Sequence, residues 1–125
     1  MISIEKKETC TIFKVTGEVT ANEILMQAVQ YMEGEQTETS LWDFSETAKV
    51  KIATVEMKGI ADSLNKIKTD GKVRKVALVG SKTINIGLGK LFVAFAQIAG
   101  LPYKYKVFRE MAHAIEWLEG HSDGN

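Results

Sequence analysis

Few side chains in this sequence are suited to chemistry. His113 and His121 are the two histidines and Cys10 is the single cysteine. One cysteine permits no internal disulfide and no thiolate metal cluster. His121 lies in the terminal GHSDGN, and His113 lies beside the apolar stripe of the last helix, so both read as exposed. No serine occupies a G-x-S-x-G turn, which leaves a Ser–His–acid hydrolase without its nucleophile. The stretch from Gly80 to Lys90 follows a strand and opens a helix, where backbone N–H groups can bind phosphate. It is not a phosphate-binding P-loop: Leu91 follows Gly89-Lys90, and Ile84 stands where the first glycine belongs. Gly87 and Gly89 fall inside the helix and read as sites of close backbone packing. Trp42-Asp43-Phe44 places an acid at the C-terminal end of a strand, where open α/β sheets bind ligands; alternatively, Asp43 accepts backbone N–H groups of the following loop. No catalytic set, metal site or cofactor emerges, and the expectation is a protein that is not an enzyme.

The stretch most indicative of function is instead apolar. Residues 84–99, INIGLGKLFVAFAQIA, read as a helix whose only polar residues are Asn85, Lys90 and Gln97. A surface helix normally carries one apolar stripe and one polar face. This one is therefore a core helix sandwiched by its neighbours, a self-association face, or the wall of a pocket for an apolar ligand or a contact to a membrane surface. Ile84, Ile86, Leu88, Leu91, Phe92 and Phe95 are the ligand- or dimer-binding candidates, with Trp42 added from a neighbouring strand end. The stretch contains Lys90 and two glycines and falls short of a bilayer span of about 20 residues.

The elements that must position these residues follow from periodicity. Ile2 to Glu5 and Cys10 to Val15 predict two short strands, joined by a hairpin, with Gly17 ending the second. Thr20-Ala-Asn-Glu23 fits a capping box, and Ile24, Leu25, Ala28, Val29 and Met32 then share one helical face. Leu41–Phe44 predicts a short third strand. A second helix is expected from about Ile52 to Ile67, with Val55, Ile60 and Leu64 inward. Val76–Val79, apolar throughout, predicts a central strand covered on both faces. Gly100 and Pro102 end the apolar helix. Tyr103–Phe108 alternates aromatic residues with lysine, as an edge strand does. A last helix from about Glu110 to Glu119 places Met111, Ala114, Ile115 and Leu118 inward, and residues 120–125 read as a disordered tail.

The order is thus β-β-α-β-α-β-α-β-α, which predicts an α/β fold with a five-stranded, mixed but mostly parallel sheet and four helices. A length of 125 residues suits a single domain spanning residues 1–119. Formal charge is balanced, so no global field attracts nucleic acid. Acids outnumber lysines in residues 1–48 and bases outnumber acids in 49–75, an asymmetry of solvated faces or of partner steering. A lone thiol and a start, MISIEKKE, without signal-peptide order predict a cytoplasmic location.

Three segments in their order carry a family resemblance. They are Thr16-Gly-Glu-Val-Thr20 with its capping box, Leu41-Trp-Asp-Phe44, and Val107-Phe-Arg-Glu110 followed by Ala114 and Trp117-Leu118, with Lys75–Val79 between. The chain resembles SpoIIAA-like proteins of the STAS/CRAL-TRIO group over nearly its whole length. The resemblance implies a STAS-like fold, a bacterial source and no enzyme activity. Relatives that antagonise anti-sigma factors carry a phosphorylatable serine in Asp-Ser-Ser-Gly at the start of the second helix. Here that stretch reads Ile52-Ala-Thr54-Val, with Thr54 the nearest phosphoacceptor and the aspartate and glycine missing. CRAL-TRIO relatives hold lipids under a movable helix, for which 84–99 is the counterpart. The leading expectation is a non-catalytic binding module, a homodimer or the holder of an apolar, lipid-like small molecule. The alternative is a regulatory signalling domain that binds a protein partner through residues 49–75.

Overall fold

The computed structural model describes residues 1–120; His121 and most of the expected tail lie outside the described residues. Its elements are β1 (Ile2–Lys6), β2 (Cys10–Thr20), α1 (Ala21–Glu33), β3 (Thr39–Lys51), α2 (Thr54–Asn65), β4 (Lys75–Val79), α3 (Thr83–Ala99), β5 (Lys104–Phe108) and α4 (Met111–Leu118). The strands lie in the sheet order β1-β2-β3-β4-β5. β1 runs antiparallel to β2, and every later pair is parallel. The predicted element order and mixed sheet are both present.

Strand alternation divides the core between two faces. Phe13, Val15, Trp42 and Val76 point to the face covered by α1, α2 and α3. Leu41, Ala77 and Val79 point the other way, where α4 covers them with Ala114 and Trp117. β4 is covered on both faces as its apolar run predicts, although β3 is the middle strand. β5 is one of the two edge strands, with Lys104 and Lys106 exposed.

The predicted cap of α1 forms in full. The Glu23 N–H donates to Thr20 Oγ1 at 3.3 Å, and the Thr20 N–H donates to Glu23 Oε1 at 3.1 Å. Gly100 ends α3 in the left-handed conformation, with φ 81°.

Several boundaries differ from the sequence expectation. Gly17 does not end β2. It adopts φ 67° inside the strand, beside shifts in the β2–β3 register, and works as a bulge. β3 is correspondingly long, at 13 residues rather than a short strand. Its second half carries little apolar patterning. Pairing with the end of β2 holds it, helped by the Thr47 hydroxyl, which donates to the Val15 carbonyl at 2.8 Å. In α2, Val55 is 76% exposed because it lies on the opposite side of the helix from the inward set Met57, Ile60, Ala61 and Leu64. In α4, Trp117 fills the inward position given to Ile115, which is 41% exposed. The indole meets the Phe108 ring at 5.7 Å.

The bulge generates a test. An L-residue at Gly17 must adopt a left-handed conformation that costs about 1 to 2 kcal/mol. Gly17→Ala is expected to lower unfolding stability by that amount in urea titrations followed by circular dichroism. An unchanged midpoint would show that the β2–β3 register does not need this backbone conformation.

Candidate functional site

The three helices do not pack flush on the sheet. Between them and the strands lies a cavity of about 120 Å³ with an almost wholly apolar lining. Its floor is the sheet's aromatic side. Trp42 and Phe44 line it, and their rings lie 6.3 Å apart and nearly parallel. Trp42 also stacks on Phe13, with centroids 4.4 Å apart, which fixes the indole from the β2 side. From α3 come Leu88 and Phe92, and Phe92 meets Tyr105 of β5 edge to face at 5.6 Å. Desolvation there pushes the Tyr105 phenol well above its ordinary pKa, so it stays neutral at any physiological pH.

α3 can approach β5 because Gly89 has no side chain. A Cβ at that position would sit 3.3 Å from Val107 Cγ2. Close packing therefore explains Gly89. It does not explain Gly87, where an added Cβ would meet nothing within 4 Å.

The structure separates the residues singled out in the sequence. Trp42, Leu88 and Phe92 line the cavity together. Ile86 does not join a surface; it is 5% exposed and belongs to the interior near Gly80. Ile84 and Leu91 are 69% and 37% exposed and turn outward, and Phe95 is half-buried. Asp43 lies inside β3 rather than at its end. It accepts the Ser45 N–H at 2.9 Å and the Ser45 hydroxyl at 2.6 Å, which is the local role. Thr54 is exposed as the first residue of α2. The Glu56 carboxylate accepts the Ala53 N–H at 2.8 Å beside it, so a phosphate on Thr54 would meet a like charge. Among the described residues no group of His, Cys, Asp or Glu is arranged to hold a metal, and His113 is exposed beside Glu110. No helix among the described residues is long and apolar enough to cross a membrane.

Polar residues that sequence reasoning did not place close one end of the cavity, at the start of β4 and β5. Arg74 lines it, and its side chain is 10% exposed. The guanidinium donates two hydrogen bonds to Asp70, at 2.9 and 2.8 Å, and one to the Thr37 carbonyl at 3.1 Å. Thr37 is itself buried, with its hydroxyl 2.8 Å from that of Thr11 and donating to the Thr39 carbonyl at 2.7 Å. The Tyr31 hydroxyl lies 3.2 Å from the Thr37 hydroxyl, and Tyr103 donates to Gln36 Oε1 at 2.9 Å. The only advance signal for this end was the Asp70-Gly71 turn, which gives no hint of an inward arginine. At the other end, beyond the C-termini of β4 and β5, Gly80 and Asn85 line the cavity.

No protein-family model and no curated relative matches the sequence. Solved structures do. An uncharacterised protein of the DUF3478 family from Shewanella loihica PV-4, described as having a SpoIIAA-like fold, is 19% identical. It aligns over 94% of this chain and 92% of its own, with a TM-score of 0.54. The anti-sigma factor antagonist SpoIIAA in its unphosphorylated form is 12% identical over 96% of this chain and 97% of its own, with a TM-score of 0.52. The fold is thereby set: this chain has the SpoIIAA-like α/β fold. The CRAL-TRIO side of the sequence resemblance finds no counterpart in these two structures.

The Arg74–Asp70 pair makes the closed end sensitive to acid. Two hydrogen bonds from Arg74, with a further one from the Lys72 N–H, hold the Asp70 carboxyl well below the usual carboxylate range. A depressed folded pKa stabilises the fold above the ordinary carboxylate value of about 4, and this contribution fades as pH falls below it. Asp70→Asn is expected to lower the Tm at neutral pH, with the gap to wild type narrowing from about pH 5 to about pH 2. A gap that stays constant over that range, in scanning calorimetry, would contradict the ionic role.

Proposed function

We propose that this protein is a non-catalytic binding module that holds a small apolar molecule between the sheet and α1–α3. The observation that carries this reading is the cavity itself, 120 Å³ of space lined by Trp42, Phe44, Leu88 and Phe92. Interiors normally close such space. A dry apolar cavity of about 150 Å³ accepts benzene; this one is somewhat smaller but partly open to the surface, so the fitting occupant is a single ring with a short substituent or a short branched chain rather than a long-chain lipid.

Benzene is the direct probe. Titration is expected to shift the methyl resonances of Leu88 and Met57 in heteronuclear NMR. Ala28 also lines the cavity, so Ala28→Leu is expected to fill part of it, abolish the shifts and raise the Tm. Wild-type protein that shows no shift at saturating benzene contradicts the reading.

A second reading, self-association through α3, is favoured by a separate observation. Ile84, Leu91 and Ile98 remain exposed, at 69%, 37% and 80%, and recur every seven residues along one side of the helix. This ridge points away from the cavity and has the spacing of a helix–helix seam, so a second copy of the chain could pair with it. The two readings are compatible, because ligand and partner copy use different sides of α3. Sedimentation across a dilution series is expected to show a monomer–dimer equilibrium that Leu91→Glu and Ile98→Glu each shift at least tenfold toward monomer. A wild-type monomer at every concentration rules the seam out. Regulation through a protein partner, as the name of the SpoIIAA neighbour suggests, is the weaker reading here because residues 52–55 lack the aspartate and glycine of the phosphorylated motif.

A further inference from the structure

Resting on the ligand-binding reading, the geometry points to the chemical class of the occupant: we infer that the cavity takes a small aromatic molecule bearing one neutral carbonyl, received by the side-chain amide of Asn85.

Asn85 is 8% exposed and lines the cavity. Among the described residues its Nδ2 is the buried side-chain nitrogen or oxygen that has no hydrogen-bond partner. A buried donor left unpaired is costly, and native proteins retain one mainly where something else supplies the acceptor. The surrounding backbone does not supply it. No carbonyl of the surrounding backbone lies within hydrogen-bonding reach of that nitrogen.

The helix terminus around Asn85 points the same way. Asn85 lies in the first turn of the 17-residue α3, whose N-cap, Lys82, makes no side-chain cap, and no acid lies in that turn. The uncompensated positive end of the helix favours an acceptor over a donor.

The other end of the cavity has no comparable vacancy. Arg74 is engaged by Asp70 and Thr37, and Tyr103 by Gln36. β4 separates the two ends by about 17 Å at about 3.3 Å per residue. The polar atom of the ligand therefore belongs at the α3 end, with its apolar body toward Trp42 and Phe92.

Charge distinguishes a carbonyl from a carboxylate. Lys82, the nearest lysine in the chain, is at the surface and donates to the Ala48 carbonyl at 2.9 Å. Arg74 lies at the far end. A carboxylate buried against this apolar wall would have no countercharge, whereas a neutral carbonyl needs only the one donor available.

The test compares acetophenone, ethylbenzene and benzoate on the full chain by NMR titration. Acetophenone and ethylbenzene have nearly the same shape and differ at the carbonyl. Acetophenone is expected to shift the Asn85 side-chain amide resonances, and ethylbenzene to leave them in place while still shifting Leu88. The ratio of ethylbenzene Kd to acetophenone Kd is expected to fall about tenfold in Asn85→Leu, a comparison that cancels the different hydration of the two molecules. Benzoate is expected to bind more weakly than acetophenone. If Asn85→Leu does not fold, the wild-type amide shifts still decide the matter. Equal amide shifts from both neutral ligands, an unchanged ratio, or tighter binding of benzoate overturn the carbonyl assignment and leave the cavity reading standing. No binding by any of the three overturns both.

Discussion

The helical layer of this protein depends on a buried arginine. Arg74 brings a permanent charge to the rim of an apolar interior, where an unpaired ion would be strongly destabilising. Its bidentate link to Asp70 and its bond to the Thr37 carbonyl satisfy that charge. The same contacts tie together the turn before β4, the α1–β3 loop and, through the Thr37 hydroxyl, β2. Tyr31 reaches the same threonine from α1. One edge of the helix–sheet layer is therefore fastened by directional polar bonds. The space behind it can then stay open without the layer drifting.

That arrangement gives the cavity two unlike ends. At the Arg74 end, each polar group named above has its partner within the chain. At the α3 end, Asn85 is buried with an unmatched donor. Between them run aromatic rings whose geometry is set by stacking on neighbours rather than by filling the void. The Phe13–Trp42 stack, at 4.4 Å, holds the floor flat. Gly89 lets α3 come close to β5 on one side, so the helix is anchored while Leu88 and Phe92 face open space. Such a structure sacrifices some packing energy in one place and keeps it elsewhere, in the compact α4 face built on Trp117.

Much of this was legible in the residues. The period of each helix, the Thr20–Glu23 cap, the doubly covered β4 and the lysine-marked edge strand follow from local rules, and together they specify the SpoIIAA-like order of elements. The unusual greasiness of residues 84–99 was legible too, and three separate environments account for it. Ile86 serves the core, Leu88 and Phe92 line the cavity, and Ile84, Leu91 and Ile98 face solvent. What the sequence hides has a physical reason in each case. The second half of β3 is held by pairing with a bulged β2, not by apolar alternation. Arg74 reads as one more charge in a basic stretch, because its partners Asp70 and Thr37 come from a turn and a distant loop. A cavity leaves no mark of its own, since it is defined by atoms that do not meet. Asn85 stood out as a polar residue in an apolar run, but its missing partner is visible only in three dimensions.

The central claim is that helices α1–α3 stand off the sheet around a lasting apolar space. The most direct measurement is a crystal structure determined under xenon pressure, since xenon enters dry apolar cavities without needing any polar contact. The account predicts xenon density between Trp42, Leu88 and Phe92, with the surrounding side chains unmoved. Crystals in which α3 has settled onto Trp42 and no xenon binds there would contradict it.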